Sequence, residues 1–239
     1  MRTFDDFLAI QERNYNGIRE RGALIAETGI IPDPAIAGLR GGITIALLPE
    51  PDVAKAFESF SAQVAKIVPA IAYPAQALHT TLVVGGTDFK VPFSFSLDDP
   101  EDARVVEVLT RACAKVASGF THSCAEIFFE DYLLSDQVIV ARGKPKKVFV
   151  ELVDQLVEAC EAQGLAVKGA WGAHATVSRF LEARSPEEAR KVIELVKKRR
   201  GPGNSRATRI AVGYSAFNEP DGSDGRFKTI KVFELGKKY

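Results

Sequence analysis

The chain has 239 residues with 31 basic and 31 acidic side chains, so its formal net charge is zero. Proteins that wrap long nucleic acids usually carry a basic excess, because neutralising phosphates supplies most of their affinity, and a long duplex is therefore not the expected partner. No stretch approaches the roughly 20 consecutive apolar residues that cross a bilayer, so a membrane-spanning protein is not expected either.

Residues 1–41 are predicted to form an N-terminal helical extension ahead of a domain that spans 42–239. A helix is expected over residues 3–21 and is predicted to end at Gly22. Pro32 and Pro34 then indicate irregular chain. The N-terminus alternates acidic and basic residues without the apolar core of a secretory signal, so no such signal is predicted. The pattern leaves open whether the extension covers a cleft, packs on one lobe or makes an oligomer contact.

From residue 42 onward, β-prone runs alternate with amphipathic helical patterns, and Gly and Pro mark the boundaries. The predicted helices cover residues 52–68, 99–118, 145–163 and 185–199. The predicted strands cover residues 43–48, 78–84, 121–130, 133–141, 166–168, 173–181, 205–217 and 226–235, and residues 88–96 are compatible with a further short strand.

Consecutive strands joined by short turns favour antiparallel pairing, in contrast to a doubly wound parallel sheet. The order of strands, a histidine-bearing strand and flanking helices occurs twice along the chain. This coarse duplication predicts a mixed α/β fold of the α+β type, with two lobes related by approximate two-fold symmetry.

Two of the three histidines lie in matching local sequences. The first motif is His79-Thr80-Thr81 and the second motif is His174-Ala175-Thr176, each within a predicted strand. Because residues two apart in a strand face the same side, each histidine shares a face with its threonine, Thr81 or Thr176. One H-x-T match is weak evidence, whereas two matches in equivalent strands favour one shared site.

Such a pair of motifs suits phosphodiester cleavage. Imidazole titrates near neutrality, so one histidine can take a proton from water while the other donates one to the leaving oxygen. A threonine hydroxyl can donate a hydrogen bond to a phosphoryl oxygen as charge develops there. Two units that face each other would place base and acid on opposite sides of the phosphorus, as in-line attack requires.

The extended motifs, His79-Thr80-Thr81-Leu82 and His174-Ala175-Thr176-Val177, resemble the two H-x-[T/S]-hydrophobic motifs of the 2H phosphoesterase superfamily (LigT-like proteins). The resemblance covers residues 42–237 and rests on short motifs and element order, so it specifies the superfamily better than the substrate. It implies a bilobal fold, each lobe an antiparallel sheet with helices outside and one motif on an inner strand. It also implies action on 2′,3′-cyclic phosphates, ADP-ribose cyclic phosphate, 2′–5′ linkages or RNA ends, with both threonines holding phosphate oxygens.

Three further residues are candidate substrate ligands. Arg179 follows His174 by five residues, as a basic residue often does in LigT-like sequences, and either contacts phosphate or is an exposed strand-end arginine. The first motif continues with two valines instead, so any charge on that side must come from elsewhere. Trp171 either stacks on a nucleobase or packs in the interior, and Tyr214 is a weaker candidate of the same kind.

Neither a metal site nor a cofactor is predicted. His122 has no threonine two residues on, and the chain lacks a C-x-x-C pair, so zinc is not expected. The turn at 221–225 lacks the glutamate of a calcium loop and is predicted to be a hairpin turn. The few, widely spaced cysteines indicate reduced thiols and a cytoplasmic protein; they are Cys113, Cys124 and Cys160.

The leading hypothesis is a metal-independent phosphodiesterase that acts on a cyclic or small ribose-linked phosphodiester. Either histidine can be the base, and a small nucleotide or an RNA end is the expected partner. One alternative is RNA end processing or 2′–5′ cleavage, in which the basic cluster at 197–200 would bind phosphate instead of being a solvated helix end. The others are a nucleotide-binding module without turnover and an interaction domain with structural histidines.

Overall fold

A computed structural model describes residues 3–37, 41–85, 94–216 and 226–237. The helices in these ranges are α1 Phe4–Thr28, α2 Pro34–Ala37, α3 Pro51–Ala65, α4 Pro100–Gly119, α5 Lys147–Glu161 and α6 Pro186–Lys198, with one 3₁₀ turn at Ala75–Ala77. The strands are β1 Gly42–Leu48, β2 Thr80–Gly85, β3 Ala125–Leu134, β4 Val138–Pro145, β5 Val167–Gly169, β6 His174–Arg179, β7 Gly203–Ala207, β8 Arg209–Ser215 and β9 Phe227–Glu234.

These strands form two antiparallel sheets, which confirms the predicted mixed α/β fold. One sheet has the order β5-β2-β1-β8-β9 and the other has the order β6-β4-β3-β7. Helix α4 packs on β1, β8 and β9, and α5 packs on β2 and β5, whereas α1 and α6 pack on β3. The larger sheet takes β1 and β2 from the first half of the chain and β5, β8 and β9 from the second, whereas all four strands of the smaller sheet begin at Ala125 or later. The two sheets therefore do not correspond one-to-one to the two halves of the chain.

Several strand boundaries differ from the prediction by a few residues: β3 begins at Ala125 instead of 121, and β4 covers Val138–Pro145 instead of 133–141. Two differences concern where the chain turns or changes sheets. Residues 205–217 were expected to form one strand, but the chain leaves the smaller sheet after Ala207 and enters the larger sheet at Arg209. A continuous β-prone run does not indicate where a chain changes sheets. The predicted break between residues 130 and 133 is also wrong, because β3 continues to Leu134. The turn follows it, where the Ser135 hydroxyl accepts hydrogen bonds from the N–H groups of Gln137 and Val138.

Helix α1 is longer than predicted and passes through Gly22. The helix ends at Gly29, whose φ of 81° is accessible to glycine at little cost. Gly22 has a different role, because a β-carbon added there would overlap the backbone carbonyl oxygen of Leu134. It permits α1 to lie against the end of β3. Phe7 and Ile25 of α1 are fully buried in the main core, so this helix belongs to the same packed unit as the sheets.

Residues 86–93 and 217–225 lie outside the described ranges, and so do most of the short strand considered for 88–96 and the turn at 221–225. The capping box predicted at the start of α6 is present, since Ser185 and Glu188 each bind the other's backbone N–H. None of the helices in the described ranges has the length and apolar character needed to cross a membrane.

The close approach at Gly22 predicts opposite effects for two substitutions in one helix. Gly22→Ala should lower the free energy of unfolding by about 1–3 kcal/mol, because the new methyl group forces α1 away from Leu134. Gly17→Ala is the matched control, since nothing lies within 4 Å of its added β-carbon. It should raise that free energy by up to ~1 kcal/mol, the difference in helix propensity. Urea denaturation measures both, and equal effects would contradict the packing role of Gly22.

Candidate active site

The two motifs meet where the two sheets face each other. His79 lies immediately before β2 in the larger sheet, and His174 is the first residue of β6 at the edge of the smaller one; β2 and β6 are in contact. His79, Thr81, His174 and Thr176 all line one cavity of about 600 Å³. The structure thus brings together the four residues that the sequence singled out as a shared site.

Each motif is followed by a β-bulge at the same position. In β2, Leu82 is an extra residue, because the consecutive residues Ile45 and Ala46 of β1 pair with Val83 and Thr81. In β6, Val177 is extra in the same way, because consecutive residues of β4 pair with Ser178 and Thr176. Both extra side chains are completely buried. The two motifs therefore share backbone geometry as well as sequence.

The bulges determine which later side chains face the cavity. Strict alternation would place the residue five positions after each histidine on the opposite face of the sheet. The extra residue shifts the phase by one, so Val84 and Arg179 both line the cavity together with their histidines. These two positions are structural counterparts, and only the second carries a charge. The bulge at Val177 therefore explains why Arg179, an odd number of residues after His174, faces the same cavity as His174.

The two imidazoles have the same orientation. His79 Nδ1 lies 2.9 Å from the carbonyl oxygen of Ala77, and His174 Nδ1 lies 3.3 Å from that of Gly172, two residues earlier in each case. A carbonyl oxygen only accepts, so the hydrogen-bond network assigns the proton of each neutral ring to Nδ1. Nε2 then carries the lone pair in both rings, which leaves it as the proton acceptor.

Burial lowers the pKa of both histidines, because desolvation disfavours the charged imidazolium. The pKa of His174 falls to about 4, and the positive charges of His79 and Arg179 contribute to that decrease. The charge of Arg179 also lowers the pKa of His79. Because His79 acts on His174, protonation of one ring disfavours protonation of the other. Burial therefore favours the neutral form of both rings.

An aromatic ring packs against each imidazole. The ring of Trp171 stacks on His174 at a centroid distance of 4.2 Å and an interplanar angle of 23°, and Phe227 lies 4.4 Å from His79. Trp171 also meets the ring of Tyr15 edge-on. Trp171 lines the cavity, yet one of its faces is occupied by His174, so the structure favours the packing role over stacking on a base with that face. An aromatic face attracts an imidazolium and so favours the protonated state of the ring packed against it.

The Arg179 side chain is held by residues that lie outside its own strand, β6. Its guanidinium donates to the carboxylate of Asp33, which is only 6% exposed, and interacts electrostatically with the phenol of Tyr73. Arg179 itself is 27% exposed and lines the cavity together with Tyr73. Of the two interpretations given to Arg179 by its sequence, this geometry favours a site residue over a solvent-exposed strand end.

The backbone before His174 is held by α1. The Ala173 N–H donates to Gln11 Oε1 at 2.7 Å, and the Ala173 carbonyl accepts from the Tyr15 hydroxyl at 3.0 Å. Gln11 and Tyr15 are 4% and 1% exposed. The N-terminal segment therefore contacts both ends of β6, the strand of the second motif: Ala173 just before it and Arg179 at its last position. Amphipathic spacing predicts the buried face of α1 but does not indicate these polar contacts.

Lys168 is a cavity residue that the motifs do not reveal. It lies in β5, directly opposite Val84 in the antiparallel pairing of β5 with β2, and it lines the cavity. Its positive charge stands beside the position where the first motif has a valine in place of a basic residue. Within the described residues, Lys168 and Arg179 are the cations that line this cavity. Thr44 and Ser215 add hydroxyl groups to its wall.

Other candidates lie elsewhere. Tyr214 is not among the described residues that line the cavity, and its ring stacks on Phe95 at 4.0 Å. His122 Nε2 lies 4.0 Å from a Glu151 carboxylate oxygen, away from the motifs. In residues 3–37, 41–85, 94–216 and 226–237, the structure has no group of three or more His, Cys, Asp or Glu side chains arranged to hold a metal ion.

Comparison with known proteins identifies the fold. The chain is similar to crystal structures of a phosphoesterase (15% identity, TM-score 0.50), of TT0787 from Thermus thermophilus (16%, 0.51) and of Escherichia coli LigT in its apo form (14%, 0.50). These alignments cover 83%, 84% and 83% of this chain, and 99%, 100% and 99% of the other chains. No family model and no curated protein matches the sequence. The chain has the 2H phosphoesterase (LigT-like) fold.

The lowered pKa of His174 predicts a pH-dependent stability. Between pH 6.5 and about 4 the unfolded chain binds a proton at this residue and the folded chain does not, so folding stability falls as the pH falls through that window. His174→Gln should reduce the loss of unfolding free energy between pH 7.5 and pH 5 by about 1–2 kcal/mol. Urea denaturation at the two pH values tests this, with His122→Gln as the control for a histidine outside the cavity. An unchanged pH dependence in His174→Gln would contradict the prediction.

Proposed function

We propose that this protein is a metal-independent phosphodiesterase that acts on a cyclic or small ribose-linked phosphodiester, of the 2′,3′-cyclic phosphate type. His79 and His174 would be the general base and the general acid. The observation that carries the proposal is the matched pair of imidazoles in one cavity, each with Nδ1 beside a backbone carbonyl and a threonine two residues on. The LigT-like fold supports phosphoester chemistry at this coarser level.

The reaction needs one neutral and one protonated histidine. The neutral Nε2 takes a proton from water as the water oxygen forms a bond to phosphorus. The bond from phosphorus to the ribose oxygen breaks, and that oxygen takes the proton of the second imidazolium. The two rings exchange protonation states in the cycle, and proton exchange with solvent restores them. For a cyclic substrate the product is a ribose phosphate monoester.

The negative charge of a bound substrate would raise the histidine pKa values, so that one ring takes up a proton from solvent. Burial lowers the pKa of both histidines, and a bound phosphodiester carries one negative charge that raises these pKa values again. Because the rings disfavour each other's protonation, one proton rather than two is expected to be taken up with the substrate. Substrate binding would thereby establish the required pair of one acid and one base.

The remaining cavity groups suit the charge that develops on phosphorus. The hydroxyl groups of Thr81 and Thr176 can donate to the non-bridging oxygens, and Arg179 and Lys168 provide positive charge from the two sides. A cavity of about 600 Å³ is in the range that holds one small ligand. This volume supports a nucleotide-sized substrate over a long chain.

Removal of either histidine should abolish most of the activity. His79→Ala and His174→Ala are each expected to lower kcat by about 10²–10⁴-fold, since each removes a proton-transfer group. His122→Ala is the matched control and should keep kcat within about threefold. Turnover assays follow the release of monoester, and circular dichroism verifies the fold. Wild-type rates in both motif variants on every active substrate would disprove the mechanism.

A substrate panel separates the alternatives. We expect hydrolysis of 2′,3′-cyclic nucleotides or ADP-ribose cyclic phosphate with weak dependence on salt. Preferred cleavage of 2′–5′ oligomers or RNA ends, with activity that falls steeply with salt and after Lys197→Ala/Lys198→Ala, would instead favour RNA processing. Saturable nucleotide binding without turnover across the panel would favour a binding module.

A further inference from the structure

Arg179 has a long side chain, and its position in the cavity depends on groups outside its own motif. Arginine loses about 2 kcal/mol of rotamer entropy when it is held in one conformation. If no other group held the side chain, this loss would weaken each contact that it forms with a phosphoryl group. A guanidinium has five N–H donors in one plane, so fixing one edge also fixes the direction of the others. The residues that hold this edge therefore influence what the cavity binds.

Asp33 holds the guanidinium from the N-terminal segment. Its carboxylate is itself oriented, because Oδ1 accepts from the Ala35 N–H at 2.8 Å while Oδ2 accepts from Arg179 Nη1. The Asp33 N–H donates to the carbonyl of Phe180, the residue after Arg179, at 2.9 Å. The backbone and the side chain of Asp33 are thus both tied to the end of β6. Ala35, two residues on, lines the cavity.

Tyr73 holds the same guanidinium from the segment between α3 and β2. Its phenol interacts electrostatically with the Arg179 guanidinium, and burial raises the pKa of the phenol, so the hydroxyl stays neutral. The Tyr73 N–H donates to Ser61 Oγ of α3 at 2.9 Å, which ties this residue to the core. Tyr73 is 5% exposed and lines the cavity.

We propose that Asp33 and Tyr73 are positioning residues that orient Arg179 toward the phosphoryl group, and that the N-terminal segment is therefore part of the active site. This inference rests on the proposed function. It assigns the segment a role that its sequence pattern leaves open. The carboxylate of this ion pair is buried while the guanidinium stays partly exposed to the cavity, so Asp33 can hold Arg179 without removing it from the site.

The test is a double-mutant cycle between Asp33→Asn and Arg179→Met. Asp33→Asn should lower kcat about 10–100-fold with a smaller change in KM, because a misdirected guanidinium loses its contacts to the charge that develops in the transition state. In the Arg179→Met background the same substitution should cost less than about threefold. Tyr73→Phe, which removes one oxygen and keeps the ring, should show the same pattern with a smaller loss.

Gln11→Met is the matched control for a general loss of stability. Gln11 is another buried polar residue of the N-terminal segment, but it contacts Ala173 and not Arg179. Its effect on kcat should be equal in the two backgrounds. An Asp33→Asn loss that is also equal in both backgrounds, or no loss at all, would overturn the proposal. If Asp33→Asn does not fold, as judged by circular dichroism, the Tyr73→Phe cycle decides in the same way.

A binding measurement separates this inference from the proposed function. Titration calorimetry with inorganic phosphate requires no turnover, and the Kd should rise about tenfold in Asp33→Asn but change less than about threefold when Arg179 is already Met. A preparation that turns over none of the panel but shows this pattern would refute the phosphodiesterase and retain the positioning role. Phosphate affinity that is unchanged in Asp33→Asn would refute the positioning role, whatever the enzyme activity.

Discussion

The β-bulge after each H-x-T motif is the constraint on which the cavity depends. Histidine and threonine share a face by ordinary strand alternation, but the next cavity position in each strand is reached only because Leu82 and Val177 are extra residues. Both are completely buried, so the core that packs on them holds the bulges in place. The paired bulges also make the two sheets equivalent at the site, although the sheets differ in strand number and in the order of their connections.

The two halves of the site are similar in backbone geometry but differ in charge. The position after the bulge is Arg179 in one strand and Val84 in the other, and Lys168 brings charge to the valine side from the neighbouring strand β5. Each imidazole makes the same kind of contact with a backbone carbonyl, yet the aromatic neighbours differ: Trp171 stacks on His174, and Phe227 lies against His79. Such differences are a physical basis for the distinct acid and base roles proposed for the two histidines.

The N-terminal segment packs into the core and also contacts the strand that carries Arg179. Helix α1 packs into the same core as the sheets, and its polar side chains Gln11 and Tyr15 satisfy the backbone of Ala173 just before His174. Asp33 contacts Arg179 at the other end of the same strand. All of these contacts lie at the two ends of β6, the strand that carries the second motif. The half of the site that carries the arginine is thus the half that the segment supports.

The sequence by itself determined the antiparallel α/β fold class, most helix boundaries and the four motif residues of the cavity, because hydrophobic periodicity, caps and strand alternation are local properties. It did not determine the passage of α1 through Gly22, the change of sheets between β7 and β8, or the bulges, since each depends on which distant backbone lies alongside. The contacts of Asp33 with Arg179 and of Gln11 with Ala173 join residues 146 and 162 positions apart. No local pattern encodes such pairings, so only the tertiary structure decided that residues before β1 reach the cavity and that Tyr214 does not.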